Sequence, residues 1–198
     1  MTESTAKNDL LEAAKAEFLE NGYEKASLRK ICGRAGVTTG ALYFFFKNKS
    51  ELFECLVKNT AEGLLYLIGR QTEAEVSGSA ESEKYQCQLN EFICMNKEII
   101  RILLDKSSGT AYESFSDKFG YAVSRGFFAF YNKFGGTEEY EDIMMLIVKM
   151  RVQGYIEMLK GDYDMDKMMK FSALMEAYGD SGFQGMMKQF NNITKGSD

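Results

Sequence analysis

Between Lys25 and Ser50 the chain carries six basic residues, Lys25, Arg29, Lys30, Arg34, Lys47 and Lys49, and no aspartate or glutamate. A cluster of cations of this kind is suited to a polyanion such as the phosphate backbone of nucleic acid. The window is a local feature of an acidic protein. From residue 61 onward 15 lysines and arginines stand against 21 acids, and the whole chain has a formal charge of −5. The local field, more than the total, decides what a surface attracts. Inside the window lies a run of small side chains, Thr38-Thr39-Gly40-Ala41. At the start of a helix such residues admit base edges and phosphates closely, and the first backbone N–H groups of a helix favour anions. Lys49, at the head of the following segment, adds a charge to such a phosphate site.

Other chemistries find little support. Histidine is absent from all 198 residues, which excludes Ser-His-Asp triads, Cys-His pairs and histidine-rich zinc sites. Gly179-Asp180-Ser181-Gly182 imitates the nucleophile loop of a serine protease but has no base to serve it. The phosphate-cradling patterns GxxxxGK and GxGxxG do not occur. The four cysteines, Cys32, Cys55, Cys87 and Cys94, form no CxxC pair, and free thiols are expected, although Cys87 and Cys94 are spaced to share a helix face. No signal segment and no run of 18 apolar residues is seen, so the expectation is a cytoplasmic protein without membrane contact. No enzyme activity, cofactor or metal is called for.

The elements that would position the basic window are helical. There is no proline to break a helix interior. Leu10, Ala14 and Phe18 repeat every four residues and predict a helix over 6–21, ended by Asn21-Gly22. Ser27 is placed to cap a short helix at 28–34, Ala35-Gly36-Val37 reads as a tight turn, and Thr38 caps another helix at 39–45. Asn48 and Glu51 resemble a capping box opening a fourth helix to about residue 72. A loop is expected at 75–82, then helices near 83–106, 110–134, 138–160 and 165–193, with Gly135-Gly136 and Gly161-Asp162 as breaks.

Two short helices joined by a glycine turn in a basic surround form a helix-turn-helix pattern: the first braces, and the second offers its N-terminal end to the major groove. The residues then go further. Leu11-Glu12-Ala13-Ala14, Phe18, Gly22-Tyr23, Ser27-Leu28-Arg29, Ile31, Ala35-Gly36-Val37, Gly40-Ala41-Leu42-Tyr43, Phe46, Lys47-Asn48-Lys49 and Glu51-Leu52-Phe53 together resemble the DNA-binding head of the tetracycline-repressor (TetR) family over about residues 8–57. The resemblance implies roles by position. Ser27 and Lys49 would hold phosphates, Arg29 would point towards the groove and read a guanine, and Thr38, Thr39 and Gly40 would lie at the reading end of the recognition helix. Tyr43 would reach a phosphate through its hydroxyl, and Phe44 would sit at the groove edge near thymine methyls. The sequence departs from the family pattern at Phe45, where histidine is common, and at Ala26, where threonine is common.

The implied fold is all-α: a three-helix helix-turn-helix DNA-binding domain over 1–50 and a helical ligand-binding and dimerisation domain over 51–198, about nine helices in all. Stripes at Ile143, Ile147, Met150, Gly154 and Met158, and at Met168, Phe171, Met175, Tyr178 and Gly182, suit a four-helix homodimer interface. The aromatic segment 112–134 is the candidate wall of a small-molecule cavity, with Arg101, Arg125 or Arg151 as anchors for an anionic group. The implied function is transcription regulation, most simply repression released by a small, largely apolar or aromatic effector. The partners are then a near-palindromic duplex operator, a second copy of the chain and the effector. An adaptor of the same fold, whose body binds a protein, is the alternative; a cavity in the body favours the regulator, and a filled core with an exposed apolar patch favours the adaptor.

Overall fold

A computed structural model of the chain describes residues 3–133, 138, 141–161 and 163–195. Gly135-Gly136 and Asp162, expected as breaks, lie outside the described residues. Among the described residues the regular structure is nine α-helices, with no strand: α1 (Glu3–Lys25), α2 (Leu28–Ala35), α3 (Thr39–Phe45), α4 (Lys49–Ser77), α5 (Ser82–Met95), α6 (Lys97–Asp105), α7 (Phe115–Lys133), α8 (Glu141–Lys160) and α9 (Met165–Lys195). They fall into two compact units, one comprising the chain to Leu65 with Asn96–Lys118, the other comprising Tyr66–Met95 and the chain from Phe119 onward.

The first unit is built on the four-residue repeat of α1. Leu10, Ala14 and Phe18 are fully buried, and the Phe18 ring meets the Phe53 ring edge-on at 5.0 Å. Gly22, at φ 69°, breaks the helical path inside α1. After the break Tyr23 turns its ring onto Phe53, 5.1 Å between centroids, and its N–H donates to the Lys106 carbonyl at 3.0 Å. Sequence periodicity predicts one helix over 83–106, but the chain divides it at Asn96 into α5 and α6, which belong to different units. Asn96 leaves the helical region (φ −112°, ψ 16°), and its side-chain oxygen accepts from the Thr60 hydroxyl at 3.3 Å. A competing polar partner of this kind interrupts a helix that apolar periodicity alone would carry through. Beyond it α6 buries Ile100, Ile102 and Leu103 in the first unit. The next segment is not helical from residue 110, as expected, but only from Phe115. Ser107 Oγ lies within 2.9 Å of the Leu103 carbonyl and 2.8 Å of the Tyr112 carbonyl, which holds the intervening residues in turns.

In the second unit Tyr131, Met144 and Met187 are buried together, with Phe127, Phe128, Ile147, Phe183 and Met186 packed round them. The α4 helix outruns its expected end because Ala74 is buried and Gly78, at φ 67°, forms the true cap, with the Ser79 N–H donating to the Ala74 carbonyl at 2.9 Å. The α5 helix is pinned to α9 by the Ser172 hydroxyl donating to Asn90 Oδ1 at 2.6 Å, both residues buried. Cys87 and Cys94 share α5, yet Cys87 is exposed and Cys94 buried. Truncating Phe18 to alanine should cost roughly 3–5 kcal/mol of unfolding free energy, by the removal of a fully buried ring. Urea unfolding measures this, and a loss under about 1 kcal/mol would contradict the packing described.

Candidate nucleic-acid interface and body cavity

The turn between α2 and α3 follows from two residues. Gly36 takes the left-handed conformation (φ 66°), and its N–H points back to the last α2 carbonyls. The Val37 N–H then donates to the Cys32 carbonyl at 3.0 Å, closing the end of α2. Thr38 starts α3, its Oγ1 accepting from the Ala41 N–H at 3.2 Å. Ser27 does the same for α2, accepting from Lys30 N–H at 3.4 Å. Each hydroxyl serves as an acceptor within its cap, which leaves its own O–H as a donor.

Burial sorts the two helices into faces. Ile31, Cys32, Ala35, Leu42 and Phe46 point inward. Arg29, Lys30, Thr38, Thr39 and Gly40 are exposed, as are Tyr43 at 53% and Phe44 at 71%, values high enough to mark both rings as surface rather than core. Six of the eight predicted contact residues (Arg29, Thr38, Thr39, Gly40, Tyr43 and Phe44) are therefore exposed, and Ser27 is half-buried beside them. Phe45 is half-buried, its ring edge-on to Phe44 at 5.1 Å and tilted against Phe46 at 6.4 Å. The histidine expected there is thus replaced by an aromatic stack.

Lys49 is half-buried and meets the backbone of the segment before α2. Its ammonium donates to the backbone carbonyls of Tyr23 at 2.7 Å, Glu24 at 3.1 Å and Ala26 at 3.2 Å, and lies 4.5 Å from the Tyr23 ring centroid. Three donors meeting three carbonyls leave this cation occupied within the protein. The sequence window also looks different in space. Arg34 pairs with Glu20 at 2.6 Å and approaches Glu17 at 3.8 Å, both acids coming from α1, and its guanidinium holds the exposed Glu20 carboxyl below the usual carboxylate range. Lys25, Arg29, Lys30 and Lys47 are exposed and make no ion pair among the described residues. Sequence reasoning missed Glu17. It is fully buried and accepts from the Ser27 N–H at 3.1 Å, so it fixes where α2 begins. A glutamate on the inward face of an amphipathic helix was the available signal.

The second unit holds a cavity of about 300 Å³. The aromatic segment contributes Phe119 and Phe127 to its wall but not Tyr112, Phe115 or Tyr121. Of the three anchoring arginines proposed from sequence, Arg151 lines it and Arg101 and Arg125 do not. The α4 wall, with Gln71 and Glu75, was not foreseen. On α8 and α9 the predicted stripes divide: Ile147, Met158 and Met168 turn inward, whereas Ile143, Met150 and Tyr178 are exposed, as are Leu146 and Leu174, which the stripes did not include.

Residues 10–56 match the family described as "Bacterial regulatory proteins, tetR family". The chain is 33% identical over 93 residues to the transposon Tn10 TetC protein of Escherichia coli, a match covering 47% of each protein. It is 43% identical over 47 residues to the probable acrEF/envCD operon repressor of E. coli K12, covering 24% of this chain and 21% of that one. The matched stretch thus spans about half or less of these relatives' length. A solved structure of a transcriptional regulator (TerR/AcrR family) from Aquifex aeolicus VF5 shares the fold, at TM-score 0.55 and 18% identity over 84% of this chain and 95% of that one. Replacing Lys49 with methionine should lower unfolding free energy by roughly 1–3 kcal/mol, since it takes the ammonium donor from the Tyr23, Glu24 and Ala26 carbonyls, of which Tyr23 keeps only its bond from the Ala26 N–H. Arg29→Ala should change it by less than about 0.5 kcal/mol, as expected of an exposed residue without a partner. Urea denaturation of both variants checks the contrast, and equal stability would contradict the role given to Lys49.

Proposed function

We propose that this chain, whose residues 10–56 match the tetR family, is a sequence-specific DNA-binding transcription regulator of that family. It acts in the cytoplasm as a homodimer and represses from a near-palindromic operator until a small, largely apolar or aromatic effector enters the body. The observation that carries this reading is the exposed face of the helix-turn-helix. Arg29 on α2 and Thr38, Thr39, Gly40, Tyr43 and Phe44 at α3 are exposed, as are Lys25, Lys30 and Lys47, while Leu42 between them is buried.

On this reading Arg29 hydrogen-bonds a guanine edge, and the start of α3 lies against the bases. The Ser27 and Thr38 hydroxyls keep their capping bonds and donate their O–H to phosphate, as does Tyr43. Phe44 meets a thymine methyl. Lys49 contributes by position: it fixes the segment that presents Ser27. Regulation fits a relative named as an operon repressor. No step calls for enzyme chemistry. The cavity favours an effector-sensing regulator over a protein-binding adaptor. Effector binding would shift the population between DNA-competent and incompetent states.

The exposed apolar residues of α8 and α9 support the homodimer. Ile143, Leu146 and Met150 fall at helical spacing on α8, and Leu174 and Tyr178 do so on α9. A dimer sets two recognition helices about one duplex turn apart, which is why the site should be a near-palindrome. Selection from random duplexes by the full chain should enrich such a site, with affinity falling steeply as salt rises; no enriched motif would refute the reading. Arg29→Ala should relax preference at one position per half-site by about 1–3 kcal/mol, measured by competition among variant duplexes. Converting Leu146 and Met150 together to aspartate should give monomers in sedimentation and lose the palindrome preference; an unchanged dimer would place the interface elsewhere.

A further inference from the structure

We propose that the body cavity takes a compact aromatic anion, bound at Arg151 and oriented by Gln71. The inference rests on the reading of the body as the effector-sensing part. The walls are mainly apolar and include the rings of Phe119, Phe127 and Phe183, surfaces that favour a flat ring. The volume of about 300 Å³ equals roughly ten water volumes. That admits one or two fused rings.

Two polar groups in the wall lack partners, and they ask for opposite things. The Arg151 guanidinium carbon lies 4.5 Å from the Phe127 ring centroid, and its Nε is shielded from solvent with no hydrogen-bond acceptor. It makes no ion pair among the described residues. The residue is half-buried, and a guanidinium, always charged, has here one shielded N–H without an acceptor. The fold nevertheless makes space for it: a Cβ at Gly179 of α9 would collide with Arg151 Nη1. On the α4 wall Gln71 is buried and donates from Nε2 to Glu75 Oε1 at 2.8 Å, which leaves its Oε1 shielded and unpartnered. An aromatic acid meets the first demand with its carboxylate. A hydroxyl or amino group on its ring meets the second by donating to Gln71 Oε1.

Equilibrium dialysis of the full chain with 6-hydroxy-2-naphthoate and with its neutral amide tests this. The acid should bind about tenfold or more tightly than the amide, as expected for a charge-assisted pair. Arg151→Met should bring the two within about twofold. Arg151→Lys, which keeps the charge but loses the fork, should retain part of the preference. Gln71→Leu should weaken acid and amide alike. Thermal unfolding of Arg151→Met should be unchanged or raised, because an unpaired cation has gone; a merely structural arginine would lower it. Equal binding of acid and amide to the unaltered chain, a preference that survives Arg151→Met, or no binding of either probe would overturn the assignment. The DNA reading is untouched by those outcomes, since operator selection uses the ligand-free chain. Acid that binds with this preference but does not weaken duplex binding would sustain the cavity assignment and refute effector sensing.

Discussion

Gly22 interrupts the first helix, and of the carbonyls that follow it the Tyr23 carbonyl meets only a long backbone bond, from the Ala26 N–H at 3.3 Å. The ammonium of Lys49, from the start of α4, answers the carbonyls of Tyr23, Glu24 and Ala26 at 2.7, 3.1 and 3.2 Å. A cation at a helix C-terminus is favoured both by the dipole and by the unpaired oxygens. Several elements meet at this junction. Tyr23 packs on Phe53 of α4 and donates to Lys106 at the end of α6, while Ser27, one residue past Ala26, is held by buried Glu17 and caps α2. The position of α2, and through Gly36 that of α3, therefore depends on a lysine that lies outside both helices.

Charge follows the same logic. In sequence the basic window contains no acid, yet folding brings Glu17 and Glu20 of α1 to Arg34 and backbone oxygens to Lys49. Cations that brace the head are thereby separated from those left at its surface, Lys25, Arg29, Lys30 and Lys47. An acidic protein can then present a positive face to phosphate, because within a Debye length of about 8–10 Å the near charges dominate. In the body Arg151 lines the cavity half-buried, with its guanidinium against the Phe127 ring.

Local signals made the head legible. The four-residue repeat of α1, the caps Ser27 and Thr38, the left-handed Gly36 and the inward Leu42 each act within a few residues, so sequence spacing predicts them. Errors arose where a distant partner decided. Asn96 splits α5 from α6 because Thr60 reaches it, and Ala74 extends α4 because it is buried. The charge of Lys49 is visible in the sequence, whereas its carbonyl partners, 23 to 26 residues away, are not. The aromatic content of α7 points to the Phe119 and Phe127 side of the cavity, but its α4 wall depends on Gly126 letting Thr72 approach, with an added Cβ only 3.1 Å from Thr72 Oγ1. Apolar stripes on α8 and α9 were visible, but only burial separates Ile147, turned inward, from Met150, turned out.

The central claim is that the chain meets DNA through the exposed face of α2 and α3. Amide hydrogen exchange of the full chain, with and without a selected duplex, tests it most directly. The account predicts slowed exchange at residues 27–30 and 38–44 when duplex is added. Protection confined to α7, α8 or α9, with those two segments unchanged, would contradict it.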